Sequence, residues 1–223
     1  SASVVADALL KVVTPEKEWQ TLYEAMMHAR TNVHPGVSST GRLGHEYYNR
    51  LGYIPYDVKI NENVARTLEY AYDDYAVALL ADALGDGANR DMLMKRTSNY
   101  KNLFDPSTGL MRGRLDDGSW ITPFDDQYPY YEYMYREANA WQQAFFAPHD
   151  TEGLIGLYPS REAFGAQLDK LFSIPWKGYE VDNLSGFIGQ YCHGNQPDHG
   201  FPYLYYFIGR QELSLIHISE PTR

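Results

Sequence analysis

A single cysteine, Cys192, occurs in 223 residues. One thiol cannot form an internal disulfide, and it leaves the redox compartment unread. Basic side chains are also scarce: 19 Lys and Arg stand against 29 Asp and Glu, for a formal net charge of −10. That balance repels nucleic-acid phosphates and argues against a nucleic-acid partner. No uninterrupted apolar run is long enough to cross a bilayer as a helix, so no membrane span is expected. Two catalytic signatures are missing as well. There is no Gly-rich phosphate loop of either common type, and no serine sits in a nucleophile elbow.

Helical periodicity and aromatic rings, by contrast, are plentiful. A hydrophobic content of 44% supports one substantial core. The 20 tyrosines could stack on pyranose faces, but most are expected to pack a helical core. Val4, Val5, Ala8, Leu9 and Val12 mark a helix already under way at Ser1. Thr14 and Pro15 suit the N-cap and first turn of a second helix, striped by Trp19, Leu22, Tyr23 and Met26. A short helix through Leu43, Tyr47 and Leu51 should close at Gly52. A long one presents Val64, Leu68, Ala71, Tyr72, Tyr75, Leu79 and Ala83 on one face and stops at Gly85. Leu93, Arg96, Tyr100 and Leu103 continue the pattern. Ser160 should cap a helix bearing Phe164, Leu168, Leu171 and Phe172, and Pro202 should open a last helix ending at Gly209. Strand signals are few, the clearest being Leu110 to Phe124 folded about Asp116-Asp117-Gly118. With no strict repeat and no linker, the chain reads as one all-α domain of antiparallel helix pairs with its chemistry on loops. Residues 213–223 follow no pattern of the preceding sequence and read like a translated sequencing adapter. They are expected to be a non-native tail, with 1–212 the natural portion.

Two stretches concentrate chemistry: Glu137-Ala-Asn-Ala-Trp141 and His193-Gly-Asn-Gln-Pro-Asp-His199. Glu137 stands at a loop-to-helix junction behind Tyr128, Tyr130, Tyr131, Tyr133 and Tyr135, with Trp141 one turn on. A carboxyl among rings loses hydration, which favours the proton-bearing form a general acid needs. The competing role is simple stabilisation of the helix start through its dipole. In the second stretch Cys192, His193 and His199 could suggest zinc, but their spacing fits no familiar zinc pattern. Oxygen donors from Asn195, Gln196, Asp198 and backbone carbonyls suit calcium better, and a structured turn is the alternative. His149-Asp150-Thr151-Glu152-Gly153 reads as a helix cap. Asp73-Asp74, on the long helix, reads as a solvated or loop-supporting pair.

Several motifs in order resemble one known family. Gly52-Tyr-Ile-Pro-Tyr-Asp57, Thr67-Leu-Glu-Tyr-Ala-Tyr-Asp-Asp-Tyr75, Asn99 to Arg112, Glu137-Ala-Asn-Ala-Trp-Gln142, Pro148-His-Asp150 and His193 to His199 are similar to those of glycoside hydrolase family 92. The resemblance runs from about Gly52 to Gly209. It implies a fragment of an (α/α)6 toroid with a small β-hairpin insertion, and a calcium-dependent, inverting exo-α-mannosidase acting on mannose-containing glycans. It further implies secretion or a periplasmic home. Carried over by position, Glu137 matches the general acid, His193, His199 and Trp141 the substrate-binding residues, and Asn195 and Gln196 the metal-side residues. Calcium would engage the mannose 2- and 3-hydroxyls, and the general base is expected downstream of the His193 loop. The 223-residue chain by itself is therefore expected to show no turnover. Two departures matter: many members carry Glu where Gln196 stands, and Ser-His-His where Asp198-His199-Gly200 stands. A neutral amide at 196 lowers the local negative charge, which would weaken calcium binding or alter the accepted linkage. A non-catalytic glycan-binding module, or a different toroidal glycosidase or lyase, are the competing functions.

Overall fold

The computed structural model describes residues 2–11, 16–129, 133–181 and 184–219. Thr14 and Pro15, expected to start the second helix, lie outside the described residues, as do Val12, Tyr130 and Tyr131. In chain order the elements are α1 (Ala2–Leu10), α2 (Trp19–Ala29), β1 (Val33–His34), β2 (Val37–Gly41), α3 (His45–Leu51), α4 (Asn63–Ala83), α5 (Gly87–Arg96), β3 (Phe104–Asp105) and β4 (Leu110–Met111). They continue as α6 (Ala140–Gln143), α7 (Thr151–Ile155), α8 (Arg161–Ser173), β5 (Phe187–Ile188), β6 (Tyr191–Cys192), α9 (Leu204–Phe207) and α10 (Gln211–Ser219). Among the described residues the strands form three separate antiparallel pairs, β1–β2, β3–β4 and β5–β6.

The central element is α4, and it is buried differently from the one-faced helix its periodicity suggests. Val64, Leu68 and Ala71 join one core with Tyr100, Leu103, Trp141, Phe164 and Leu168. Val77, Leu80 and Ala81 join a second core with Leu9 of α1, Met26 of α2 and Leu93 of α5. Leu79 is only partly buried and Ala83 is exposed. A helix serving two cores buries more than one face, so a single stripe under-reads it. Asp74, on this helix, is fully buried. It accepts from Arg42 Nη1 at 2.5 Å, Arg30 Nε at 3.3 Å and Tyr48 Oη at 3.3 Å. It thereby pins the segment before α3 and the end of α2 to the central helix, the loop-supporting role expected of the pair.

Local signals set several boundaries. Ser160 accepts from the Ala163 amide at 3.1 Å and starts α8, and Asp150 caps α7 through the Gly153 amide at 3.0 Å. Gly52 ends α3 at φ 78°, donating to Tyr48 O at 3.0 Å. Only a residue without a Cβ adopts that left-handed turn cheaply. The expectation of a core role for tyrosine holds at Tyr48, Tyr100, Tyr135, Tyr191 and Tyr205, all buried. Their hydroxyls are bonded, for example Tyr135 to Met111 O at 2.7 Å and Tyr205 to Asp169 at 2.8 Å. Buried hydroxyls need such partners.

Two expectations need correction. The Asp116-Asp117-Gly118 turn forms, with Gly118 N on Leu115 O at 2.9 Å, but its arms pair only at Arg114 and Trp120. Leu110 and Met111 pair instead with Asp105 and Phe104. Arg112 accounts for the difference: its guanidinium occupies the Ile121 carbonyl and binds Asp105 at 2.8 Å. Pro202 does not open a helix. It lies inside a 3-10 helix, Gln196–Tyr203, that passes directly into α9.

Candidate functional site

The stretch Tyr133 to Glu137 is held against the start of α4 by backbone bonds. No side chain caps this helix. Instead the Glu62 amide donates to Tyr133 O, and Val64 N and Ala65 N both donate to Met134 O at 3.1 Å. The orphan donors of the first turn are thus satisfied by the loop that carries Glu137. Glu62, Tyr133 and Glu137 all have positive φ, at 59°, 60° and 48°. Side chains other than glycine rarely adopt this region, and such strain concentrates at functional sites.

The rest of the Glu137-Ala-Asn-Ala-Trp-Gln motif builds a scaffold. Asn139 caps α6, accepting from Trp141 N at 3.0 Å and Gln142 N at 3.1 Å, while Gln142 Oε1 accepts the Asn139 amide at 2.9 Å. This reciprocal box satisfies three donors at once. The remaining amide groups reach across to Gln190, at the turn between β5 and β6. Asn139 Nδ2 donates to Gln190 Oε1 and Gln142 Nε2 to Gln190 O, each at 2.8 Å, and Gln190 Nε2 donates to Pro175 O at 2.9 Å. All three side chains are fully buried. Strand β6 leads directly into His193, so this network fixes the two chemistry-bearing stretches relative to each other. Gln190→Met should leave the Asn139 amide and the Pro175 carbonyl unsatisfied, costing on the order of 1–3 kcal/mol for each. A lowered midpoint in urea unfolding at unchanged slope is the expected reading.

Asn195 makes the direct link, donating from Nδ2 to Glu137 O at 2.7 Å. Glu137, Asn195 and Gln196 line one cavity of about 360 Å³, together with Glu62, Arg66 and Glu69 of the α4 segment and Arg136. The charges alternate in a chain. Arg66 pairs with Glu62 at 3.0 Å, Glu62 with Arg136 at 2.9 Å, and Arg136 with Glu137 at 3.8 Å. The Glu137 side chain is 30% exposed, and the residue lines this cavity.

The other sequence-derived candidates are placed differently. Trp141 is 4% exposed, sits in the main core and donates from Nε1 to Asp126 at 3.1 Å. It is absent from the cavity lining, so its expected contact with substrate is not formed by this wall. Its size and apolar faces are used for packing. Of the tyrosines before Glu137, Tyr135 is in the core, Tyr128 meets Tyr179 edge-on at 5.5 Å, and Tyr133 is exposed. His193 and His199 lie outside the lining as well. Their rings stack on each other at 5.1 Å. His199 Nε2 contacts His193 O at 2.7 Å, and His193 Nδ1 lies 3.0 Å from Tyr191 Oη.

Asp198 is fully buried. Its Oδ2 accepts from Cys192 N at 3.0 Å, its Oδ1 has no partner among the described residues, and burial pushes its carboxyl well above the carboxylate range. Cys192 is buried and bonded to Ser185 O at 3.3 Å. Cys192, His193 and His199 therefore do not converge as a zinc site. Among the described residues no three His, Cys, Asp or Glu gather to hold a metal. Asn195 and Gln196 offer amide oxygens at the cavity edge. The Nδ2 bond of Asn195 fixes its amide, leaving Oδ1 for another partner. All-oxygen donors suit a hard cation such as calcium, and these two fit it as part of a larger set.

Glu62, Arg66, Glu69 and Arg136 went unread as site residues. The signal was present, since Glu62, Arg66, Glu69 and Asp73 repeat at helical spacing.

The sequence profile of the glycosyl hydrolase family 92 catalytic domain matches residues 1–220. The chain belongs to that family. It is similar to a family GH92 α-mannosidase of Bacteroides thetaiotaomicron solved in complex with mannoimidazole, at 32% identity and a TM-score of 0.82, over 96% of this chain and 28% of that one. A GH92 inverting mannosidase of the same bacterium is 34% identical with a TM-score of 0.80, over 92% of this chain and 29% of that one. An uncharacterized secreted glycosidase of Arthroderma benhamiae is 29% identical over 99% of this chain and 30% of its own length. This GH92 chain thus spans a little under a third of these relatives. Its helices form part of an α/α toroid, with small two-stranded sheets between them.

Proposed function

We propose that the parent of this chain is a secreted glycosidase that removes terminal α-linked mannose from glycans with inversion, and that Glu137 is its general acid. One observation carries the reading: Glu137, Asn195 and Gln196 line one cavity, and the Asn195 amide donates to the Glu137 backbone carbonyl. Solved relatives described as an α-mannosidase with bound mannoimidazole and as an inverting mannosidase support the substrate and the stereochemistry. A relative named as secreted supports the location.

In this reading Glu137 delivers its proton to the glycosidic oxygen as the bond breaks. Arg136 steadies the carboxylate left behind, and the Asn195 bond to the Glu137 carbonyl keeps the loop in register. Asn195 and Gln196 would contribute amide oxygens to a calcium site, and the ion, when bound, would engage sugar hydroxyls and help distort the ring toward the planar transition state. Inversion requires a second carboxyl far enough away to admit a water, about 6.5–9.5 Å. We assign that base to sequence downstream of the His193 loop.

The test is an assay of the full-length parent against α-1,2-, α-1,3- and α-1,6-mannobiose, with and without chelator. Chelator-sensitive release of mannose, first formed as the β-anomer, is expected. Release of glucose or of an unsaturated product would overturn the assignment.

A further inference from the structure

A charged stripe begins just before α4 and runs along it, Glu62, Arg66, Glu69 and Asp73 recurring at four-, three- and four-residue steps, and the first three line the cavity. Three of the four are engaged. Glu62 pairs with Arg66 and Arg136, and Asp73 lies 3.8 Å from Arg42. Glu69 has no hydrogen-bond or ion-pair partner among the described residues. It opens onto the same cavity as Glu137, Asn195 and Gln196. A carboxyl in that position has both oxygens to offer a ligand and, when protonated, one donor as well. That is the chemistry of a group that grips a sugar hydroxyl.

We propose that Glu69 is a substrate-binding residue of this site, holding one hydroxyl of the pyranose whose glycosidic oxygen Glu137 protonates. The proposal rests on the mannosidase reading above and adds a residue to it. The surroundings suit the role. Asp73 follows Glu69 one turn along its own helix, and the cavity that Glu69 lines is also lined by Arg66, by Arg136 and Glu137 of the loop before α6, and by Asn195 and Gln196 of the loop after β6. Desolvation by the protein around it, and then Asp73, push its carboxyl above the usual range. Arg66 is already committed to Glu62 and to Asn61 O at 2.9 Å, so it does not take up the Glu69 charge.

The test uses the full-length parent, its Glu69→Ala and Glu69→Gln variants, and α-mannosides each lacking one hydroxyl. Glu69→Ala should lower kcat/KM about 10- to 100-fold on the intact mannoside, the range for a hydrogen bond to a charged group. On the one deoxymannoside that lacks the partner hydroxyl, wild type and variant should agree within about 2-fold, which a merely structural defect would not produce. Glu69→Gln, which keeps a hydrogen-bonding group of the same size, should recover part of the rate. An equal penalty on every deoxymannoside, or an unchanged kcat/KM on the intact one, overturns the role of Glu69 while leaving the mannosidase reading in place. A wild-type parent that releases mannose from none of these substrates overturns both.

Discussion

Glu137→Gln lowers kcat on α-mannobiose by about 10²- to 10⁴-fold, the range for loss of a positioned general acid, and leaves hydrolysis of an activated aryl mannoside much less affected. The asymmetry is the informative part. An alcohol leaving group departs as an unstable alkoxide unless it is protonated in the transition state, whereas a nitrophenolate needs no proton. Glutamine keeps the shape and the amide cannot donate a proton outright. The backbone would be undisturbed, because the bond that anchors the loop runs from Asn195 to the Glu137 carbonyl and not to its side chain. Initial rates across leaving groups of graded acidity are the measurement. A flat dependence in wild type and a steep one in the variant is expected, and equal losses on good and poor leaving groups would remove Glu137 from the role.

Asp74→Asn should have the largest effect on stability, a loss of about 3–5 kcal/mol, as expected when one partner of a buried ion pair is removed. Asp74 is fully buried and serves two guanidinium groups, Arg30 and Arg42, whose side chains are 5% and 7% exposed. Burial already holds Arg30 below its ordinary range, with Asp74 the main opposing influence. Neutralising Asp74 leaves both cations enclosed, and the Asp73 carboxylate at 3.8 Å from Arg42 is a poor substitute. Asp73 behaves oppositely. Burial lifts its carboxyl above the usual range, with Arg42 offsetting part of the rise, so Asp73→Asn should be close to neutral. Urea unfolding of the two variants checks the contrast. Adding Arg42→Met to Asp74→Asn should recover part of the loss, because the residues share one network.

How much of this was legible depended on how local the cause was. Ser160, Asp150 and Gly52 act on their own or adjacent turns, so residue type and spacing were enough to place the boundaries they set. Glu137 and the His193 loop drew notice because polar residues crowd there. Yet most of that crowd is scaffold: Asn139, Gln142 and Gln190 spend their amides on one another. A capping box can be read at three-residue spacing, but a bond from residue 139 to residue 190 cannot. Trp141 was assigned to substrate for its chemistry, whereas its burial is set by the core it joins from distant parts of the chain. The strand pair was misplaced for a similar reason, since the Arg112 guanidinium takes the Ile121 carbonyl that a ladder would use. Glu69 was overlooked inside a motif already quoted, because a lone acid on a helix usually faces water. Only the fold shows that it lines one cavity with Glu137.

The most direct measurement is a crystal structure of the full-length parent with a mannose-configured imidazole bound. The account predicts a Glu137 carboxyl oxygen within about 2.6–3.2 Å of the imidazole nitrogen that replaces the glycosidic oxygen, with Asn195 and Gln196 on the same side of the sugar. A different carboxyl at that nitrogen, with Glu137 folded back onto Arg136, would contradict it.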